Sequence, residues 1–188
     1  YAQIARSYGA EVPFLRPEEY ATDTALDYDV FLHALTWLQE KEGYEPDLVV
    51  QLRPTYPIRM ISDLDAMIDR LWEQKEADAI RSIAPAKEIP YKMWTLGEED
   101  VIHPFVTSIK ECYNMPRQQL PKVYYQNACI DIFRPRCLFQ YHSMTGRNIL
   151  GYVMKKNYDI DTEKEFLRAE RYLKMMQGGQ RFVFDIDG

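Results

Sequence analysis

Asp47-Leu-Val-Val-Gln-Leu-Arg-Pro-Thr-Tyr-Pro-Ile-Arg-Met-Ile-Ser-Asp-Leu-Asp-Ala-Met-Ile-Asp-Arg-Leu-Trp-Glu-Gln-Lys-Glu-Ala-Asp-Ala-Ile-Arg-Ser-Ile83 carries three changes of pattern that decide the fold. The run from Asp47 to Leu52 is short, apolar and bounded by turn residues, which suits a buried strand, and Pro54 and Pro57 stop it. Ser62 with Asp65 three residues on resembles a capping box, and Leu64, Met67, Ile68, Leu71 and Trp72 then form the apolar stripe of a helix reaching about Glu76. Ala77 to Ile83 follows as a second strand. Strand, helix, strand at this spacing predicts a βαβ unit in a mostly parallel sheet, whose ligands sit at the carboxyl ends of the strands.

Upstream, Val30, Phe31, Ala34, Leu35 and Leu38 recur at helical spacing between acidic residues and Gly43, predicting a helix over Asp27–Glu42. Tyr1 to Gly9 reads as the last two turns of a helix, and Glu11 to Leu15 as a short strand. Downstream, Lys87 to Leu150 is less regular, with Tyr124-Tyr125 and Cys129–Phe133 as strands. Thr162-Glu163-Lys164-Glu165 is a capping box opening a helix with Phe166, Leu167, Ala169, Tyr172 and Leu173. The Gly178-Gly179 pair marks a boundary, so residues 1–177 read as one α/β domain and 178–188 as a linker with the first strand of something new.

The 188 residues suffice for one real core. A formal charge of -6 argues against duplex nucleic acid as a partner, which needs a basic face, but leaves room for a small anionic substrate where arginines converge. No apolar run approaches the ~18 residues of a membrane span, and Tyr1 opens no signal peptide. Cys112, Cys129 and Cys137 are odd in number and lack metal-ligand or framework spacing, so a reducing cytoplasm fits. Hydrolase, zincin and dinucleotide motifs are missing from the sequence, and His33, His103 and His142 share no ligand spacing.

Several short segments could carry chemistry. Asp159 and Asp161, two apart in an extended stretch, project to one side; they read either as a solvated helix start or as a hard-oxygen site for Mg²⁺, which takes one or two carboxylates plus substrate phosphates. Arg53-Pro-Thr-Tyr-Pro-Ile-Arg59 places two guanidinium groups at the end of a strand, able to hold phosphate or carboxylate, although Arg59 could equally tie the loop to the domain. Arg117 and Gln118, between Pro116 and Pro121, offer a cation and an amide to a polyhydroxylated acid, or form an ordinary surface loop. Tyr124, Tyr125 and Trp94 read as a sugar-stacking wall or as core.

In order, Ile4-Ala-Arg-Ser-Tyr-Gly-Ala-Glu-Val-Pro-Phe-Leu-Arg-Pro17, Ala21-Thr-Asp-Thr24, Leu52-Arg-Pro-Thr-Tyr-Pro-Ile-Arg59, Pro116-Arg-Gln-Gln-Leu-Pro121, Gln126-Asn127 and Asp159-Ile-Asp-Thr162 resemble the acylneuraminate cytidylyltransferase family, the CMP-sialic acid synthetases. The resemblance implies a Rossmann-like nucleotidyltransferase fold, with the sheet flanked by helices. It also implies transfer of CMP from CTP to a sialic-acid-like sugar acid with release of pyrophosphate, and a homodimer. Asp159 and Asp161 match the aspartates that hold Mg²⁺; Arg117 and Gln118 would face the sugar acid, Asn127 would lie in the active-site sheet, and Arg16 would approach the nucleotide phosphates.

Arg53 stands where sialate enzymes commonly have Gln, and Tyr56 where they have Ser, which resembles a subgroup tied to surface-polysaccharide or flagellar sugars. The family's first strand and triphosphate loop are expected before Tyr1, so the chain reads as N-terminally truncated and inactive alone. The tail, Phe182-Val-Phe-Asp-Ile-Asp-Gly188, resembles the opening of a haloacid-dehalogenase-type phosphatase with Asp185 and Asp187 as its motif, or is a plain strand. Activation of another sugar, as by the 3-deoxy-octulosonate enzymes, and a non-catalytic nucleotide-sugar-binding relative are the alternatives.

Overall fold

The structure, a computed structural model, describes residues 1–154 and 159–176. Its helices are α1 (Ala2–Ser7), α2 (Asp27–Glu42), α3 (Ile61–Glu73), α4 (Arg136–Phe139) and α5 (Glu163–Met176). Its strands are β1 (Val49–Leu52), β2 (Ala79–Pro85), β3 (Trp94–Leu96), β4 (Ile102–Pro104), β5 (Tyr124–Phe133) and β6 (Ile149–Val153).

Local sequence explains most of these boundaries. Helix α2 begins with Asp27 and Asp29 at its positive end and stops at Gly43, whose φ of 62° is left-handed backbone that glycine adopts without steric cost. Helix α3 starts two residues earlier than the Ser62 capping box predicts. The Met60 carbonyl accepts from the amides of Asp63 and Leu64, and no side chain caps the end, so Ser62 lies inside the helix. At α5 the predicted box does form: Glu165 N–H donates to Thr162 Oγ1 (3.3 Å), while Glu165 Oε2 accepts from the Thr162 hydroxyl (2.8 Å) and from the Asp161 amide (3.1 Å).

Strands β1, β5, β2 and β6 form one sheet in that order. The βαβ unit β1–α3–β2 is present, but its strands are not neighbours: β5 lies between them, antiparallel to both, and only β2 and β6 pair in parallel. The expected mostly parallel sheet is therefore a mixed one, flanked by helices. After β2 the chain makes a long excursion over residues 86–123 and re-enters at the end where β2 left, with Tyr124 opposite Pro85, so β5 must run backwards. An apolar run records burial and not strand direction, and β5 is as buried as a parallel strand.

The pleat sends alternate residues to two layers. On one face Ile80, Ile130 and Ile132 pack with Met67 and Leu71 of α3; on the other Val49, Ala79 and Phe133 meet Leu35 of α2 and Leu138 of α4. The excursion forms a small lobe around Ile89, Cys112 and Leu120, from which the β3–β4 ribbon projects. Glu11–Leu15 is not a strand. With no partner strand among the described residues it runs along α2, where Phe14 meets the rings of His33 (centroids 5.2 Å) and Trp37 (5.0 Å).

The two separate strands expected at Tyr124-Tyr125 and Cys129–Phe133 are one strand with a bulge. Between the pairs Arg81↔Asp131 and Ile83↔Gln126, the single residue Ser82 stands opposite residues 127–130, and Ala128 takes a φ of 54° to make the turn. Buried polar groups hold this bulge. The Ser82 hydroxyl donates to Asn127 Oδ1 (2.6 Å) and accepts from the Ile130 amide (2.9 Å). Asp185 and Asp187 lie outside the described residues.

Candidate active site at the carboxyl ends of β1 and β2

One face of the sheet changes character along its strands. Val49, Phe133 and Ala79 stand side by side on β1, β5 and β2 as an apolar rung under α2. Two residues further, toward the carboxyl ends of β1 and β2, the same register aligns Gln51, Asp131 and Arg81 as a polar rung. Arg53 follows on the same face as β1 ends. Period-two alternation thus delivers four polar side chains to one place, and α2 contributes a fifth because its first residue, Asp27, overhangs them.

Asp131 is the hub of this cluster and is only 4% exposed. It accepts from Arg53 Nη1 through Oδ2 (2.9 Å) and from Arg81 Nε through Oδ1 (3.0 Å), with a longer contact from Arg81 Nη2 (3.4 Å). Arg53 Nη2 also donates to Asp27 Oδ2 (3.1 Å), which accepts from Gln51 Nε2 (3.0 Å) as well, and Arg81 Nη1 donates to Gln126 Oε1 (2.9 Å). Both guanidinium side chains are 26% exposed, so each is held from the sheet side and open on the other.

The Asp159–Asp161 segment docks beside this cluster. The Ile160 amide donates to the Thr55 carbonyl (2.9 Å), tying the segment to the loop that follows β1. Asp159 is half-buried, and its carboxyl is raised above the ordinary range, first by burial and then by the Asp161 charge, while the Ile160 N–H and Arg53 pull it the other way. Asp159 and Asp161 thus place two carboxyl groups, hard-oxygen donors, beside the loop that follows β1. Among the described residues no three His, Cys, Asp or Glu side chains converge as a metal cage. Two carboxyl groups are the kind of donor set that Mg²⁺ accepts when water and substrate phosphates supply its remaining ligands.

The other sequence-predicted residues separate into two groups. Arg59 is turned inward, and the loop-tying reading is the one the structure displays: its Nε donates to the Cys129 carbonyl (3.2 Å) and its Nη2 to the Arg53 carbonyl, so it shapes the turn that presents Arg53. Asn127 lies in the sheet, 1% exposed, where it braces the bulge and donates to Met154 Sδ (3.3 Å). Arg117 and Gln118 are exposed on the loop leading into β5, with Arg117 Nη2 donating to the Lys87 carbonyl. Arg16 is exposed and has no hydrogen bond or ion pair with the described residues. Tyr124 and Tyr125 are exposed at the start of β5.

Sequence reasoning missed Asp27, Gln51, Arg81 and Asp131. The available signal was a charged or amide residue inside an apolar strand, as in Ala79-Ile-Arg-Ser-Ile83 and Ile130-Asp-Ile132. The three thiols contribute nothing reactive. All are buried, and burial raises Cys129 to about 12 and Cys137 to about 11.

No protein-family profile matches the chain. Individual relatives do. The chain is 30% identical over 175 residues to post-translational flagellin modification protein B of Campylobacter coli, covering 92% of this chain and 72% of that protein. It is 30% identical over 173 residues to the CMP-N,N'-diacetyllegionaminic acid synthase of Campylobacter jejuni, covering 90% and 71%. A third relative, the N-acylneuraminate cytidylyltransferase of Escherichia coli, is 27% identical over 168 residues, 88% of this chain and 38% of that longer protein. The mixed α/β sheet and these relatives together define a nucleotidyltransferase. More narrowly, the chain belongs to the acylneuraminate cytidylyltransferase family.

Proposed function

We propose that this protein transfers CMP from CTP to a sialic-acid-like, nonulosonic sugar acid and releases pyrophosphate. The observation that carries the proposal is the Ile160–Thr55 hydrogen bond, which brings the paired aspartates and the arginine loop after β1 to one end of the sheet. Phosphoryl transfer asks little of a protein beyond positioning and charge stabilisation, and this surface offers both. Asp159 and Asp161 would hold Mg²⁺, which supplies charge neutralisation on the triphosphate when bound. Arg16 would reach the nucleotide phosphates, and Arg117 and Gln118 the sugar acid, with Arg53 between the two substrates.

The β3–β4 ribbon exposes Trp94, Leu96, Val101, Ile102 and neighbouring Phe105, an apolar patch of the kind that a second copy of the chain covers, so we read the working form as a homodimer. Among the described residues no helix is long and apolar enough to cross a membrane, and a cytoplasmic setting suits the reduced thiols. The test is release of pyrophosphate by the full-length protein in the presence of CTP, Mg²⁺ and a panel of nonulosonic acids. Turnover with at least one of them, and none without the acid, is the expected result; CTP hydrolysis indifferent to every acid would refute the reading.

A further inference from the structure

We infer that Arg81 and Asp131 belong to the acceptor-recognition surface: Asp131 locks Arg53 and Arg81 into one formally neutral comb of hydrogen-bond donors that reads the uncharged oxygen substituents of the sugar acid, its hydroxyl and acylamido groups. The inference rests on the cytidylyltransfer reading and deepens it.

Three observations carry it. First, the cluster occupies a rung where the neighbouring rung is apolar and packed under α2. An ion cluster around a buried carboxylate gains little net stability over apolar packing of the same volume, because desolvation offsets the attraction, so beyond setting the register of β5 these residues are not accounted for by stability. Second, the donors are only partly spent. A guanidinium carries five N–H groups; Arg53 uses two of them, on Asp131 and Asp27, and Arg81 uses three, on Asp131 and Gln126. The remaining N–H groups belong to side chains that are 26% exposed and fixed in direction by Asp131.

Third, the charges cancel. Arg53 and Arg81 face Asp131 and Asp27, so the surface offers donors without net positive charge. A triphosphate seeks uncompensated cations and helix or loop amides. A neutral carbonyl or hydroxyl oxygen needs only a donor at the right angle, and it avoids repulsion by the two carboxylates. The Ile160–Thr55 hydrogen bond (2.9 Å) ties the aspartate segment to the loop two residues beyond Arg53, which puts the comb beside the proposed reacting end of an acceptor. Asp131 acts through the two arginines and is a positioning residue.

The experiment compares wild type with Arg81→Lys, Arg81→Met and Asp131→Asn in the full-length protein. Steady-state pyrophosphate release gives KM for acceptor and for CTP separately, calorimetry gives acceptor affinity without turnover, and thermal unfolding shows which variants fold. Arg81→Lys keeps the charge and loses the fork. It is expected to raise the acceptor KM about tenfold, Arg81→Met somewhat more, with the CTP KM within about twofold of wild type. N-deacylated acceptors should lose the difference between wild type and variants if the acyl carbonyl is read, and keep it if a ring or side-chain hydroxyl is read; either pattern supports the comb. If folded Arg81 variants keep wild-type acceptor KM and affinity, or weaken CTP equally, the inference is wrong while the function stands. If Asp131→Asn fails to fold, the Arg81 pair decides alone. Wild type that neither binds nor turns over any nonulosonic acid overturns the function and the comb together.

Discussion

Replacing Asp161 with Asn separates a metal site from a helix start, because the two roles predict different responses to Mg²⁺. Without metal, Asp161→Asn has two opposed effects. It removes the repulsion that Asp161 exerts on half-buried Asp159, a gain of about 0.2–1 kcal/mol for a pair partly open to water. It also removes a negative charge just before the first turn of α5, at a cost of about 0.3–1 kcal/mol. These nearly cancel, and the metal-free unfolding temperature should move by no more than about 2 °C.

With Mg²⁺ at ten times its dissociation constant, wild type gains roughly 1.4 kcal/mol from binding to the folded state alone, about 3–6 °C for a chain of this size. The variant, left with one carboxylate, should lose most of that gain. Scanning calorimetry of both proteins with and without Mg²⁺ measures all four values. A pH series adds a signed check. Because the Asp159 carboxyl is raised on folding, the native state holds the extra proton, and metal-free stability falls as pH rises from the unfolded pKa through the folded one. Mg²⁺ competes with that proton, so its stabilising effect should weaken as pH falls through the folded pKa and be complete well above it. An unfolding temperature that drops equally with and without Mg²⁺ on Asp161→Asn would falsify the metal assignment and leave a helix-start charge.

Three further outcomes are expected. Asp78 at the head of β2 is buried and accepts from Arg136 Nε (2.8 Å), Arg147 N (2.8 Å) and Asn148 N (2.9 Å); burial raises its carboxyl, but these bonds outweigh it and the pKa is lowered. Asp78→Ala should cost about 3–5 kcal/mol in urea unfolding, and the contribution of Asp78 should be present above the unfolded pKa and disappear as pH falls through the folded one. Ser82→Ala removes both bonds that brace the bulge and should cost about 1–3 kcal/mol, with amide exchange at Ile130 accelerated ahead of the rest of β5. Arg117→Ala should raise KM for the sugar acid ten- to a hundredfold, about 1.5–3 kcal/mol, with little change for CTP; equal weakening of both substrates would place Arg117 on the nucleotide or in the fold.

Helices were legible in the sequence where periodicity and stop signals agreed. Helix α2 runs from Asp27 to Glu42 as expected, because acidic residues, apolar spacing and Gly43 all point to the same ends. Strand existence was legible too: β1 falls within the apolar run quoted from Asp47, and β2 begins within the run from Ala77 to Ile83 and continues to Pro85. Strand direction was not. A chain entering the sheet after the 86–123 excursion comes from whichever end that lobe leaves it, and β5 carries the same apolar run in either orientation. The failure of Glu11–Leu15 as a strand has a similar cause: an extended apolar segment needs a partner edge, and this one found the aromatic side chains of α2 instead.

The site divides along the same line. Asp159 and Asp161 were visible because both carboxylates sit in one short segment. Asp131 and Arg81 lie 50 residues apart, and each alone reads as a polar residue on the open face of a strand. Only the register shows that Gln51, Asp131 and Arg81 share a rung, and the register in turn depends on them. A slip of β5 by one residue would set Ile130 or Ile132 beside the two arginines and turn Asp131 into the layer held by Met67 and Leu71, leaving a carboxylate in an apolar core. The cluster that supplies the candidate acceptor surface is thus also what fixes β5 against β1 and β2, so changes to Arg53, Arg81 and Asp131 should couple: the Arg81→Met, Asp131→Leu pair should unfold at a temperature well above that predicted by adding the two single losses, because the second substitution removes the carboxylate the first leaves underpaired. Simple additivity in a double-mutant cycle would mean that the rung is held by its apolar neighbours and that the ion cluster serves the site alone.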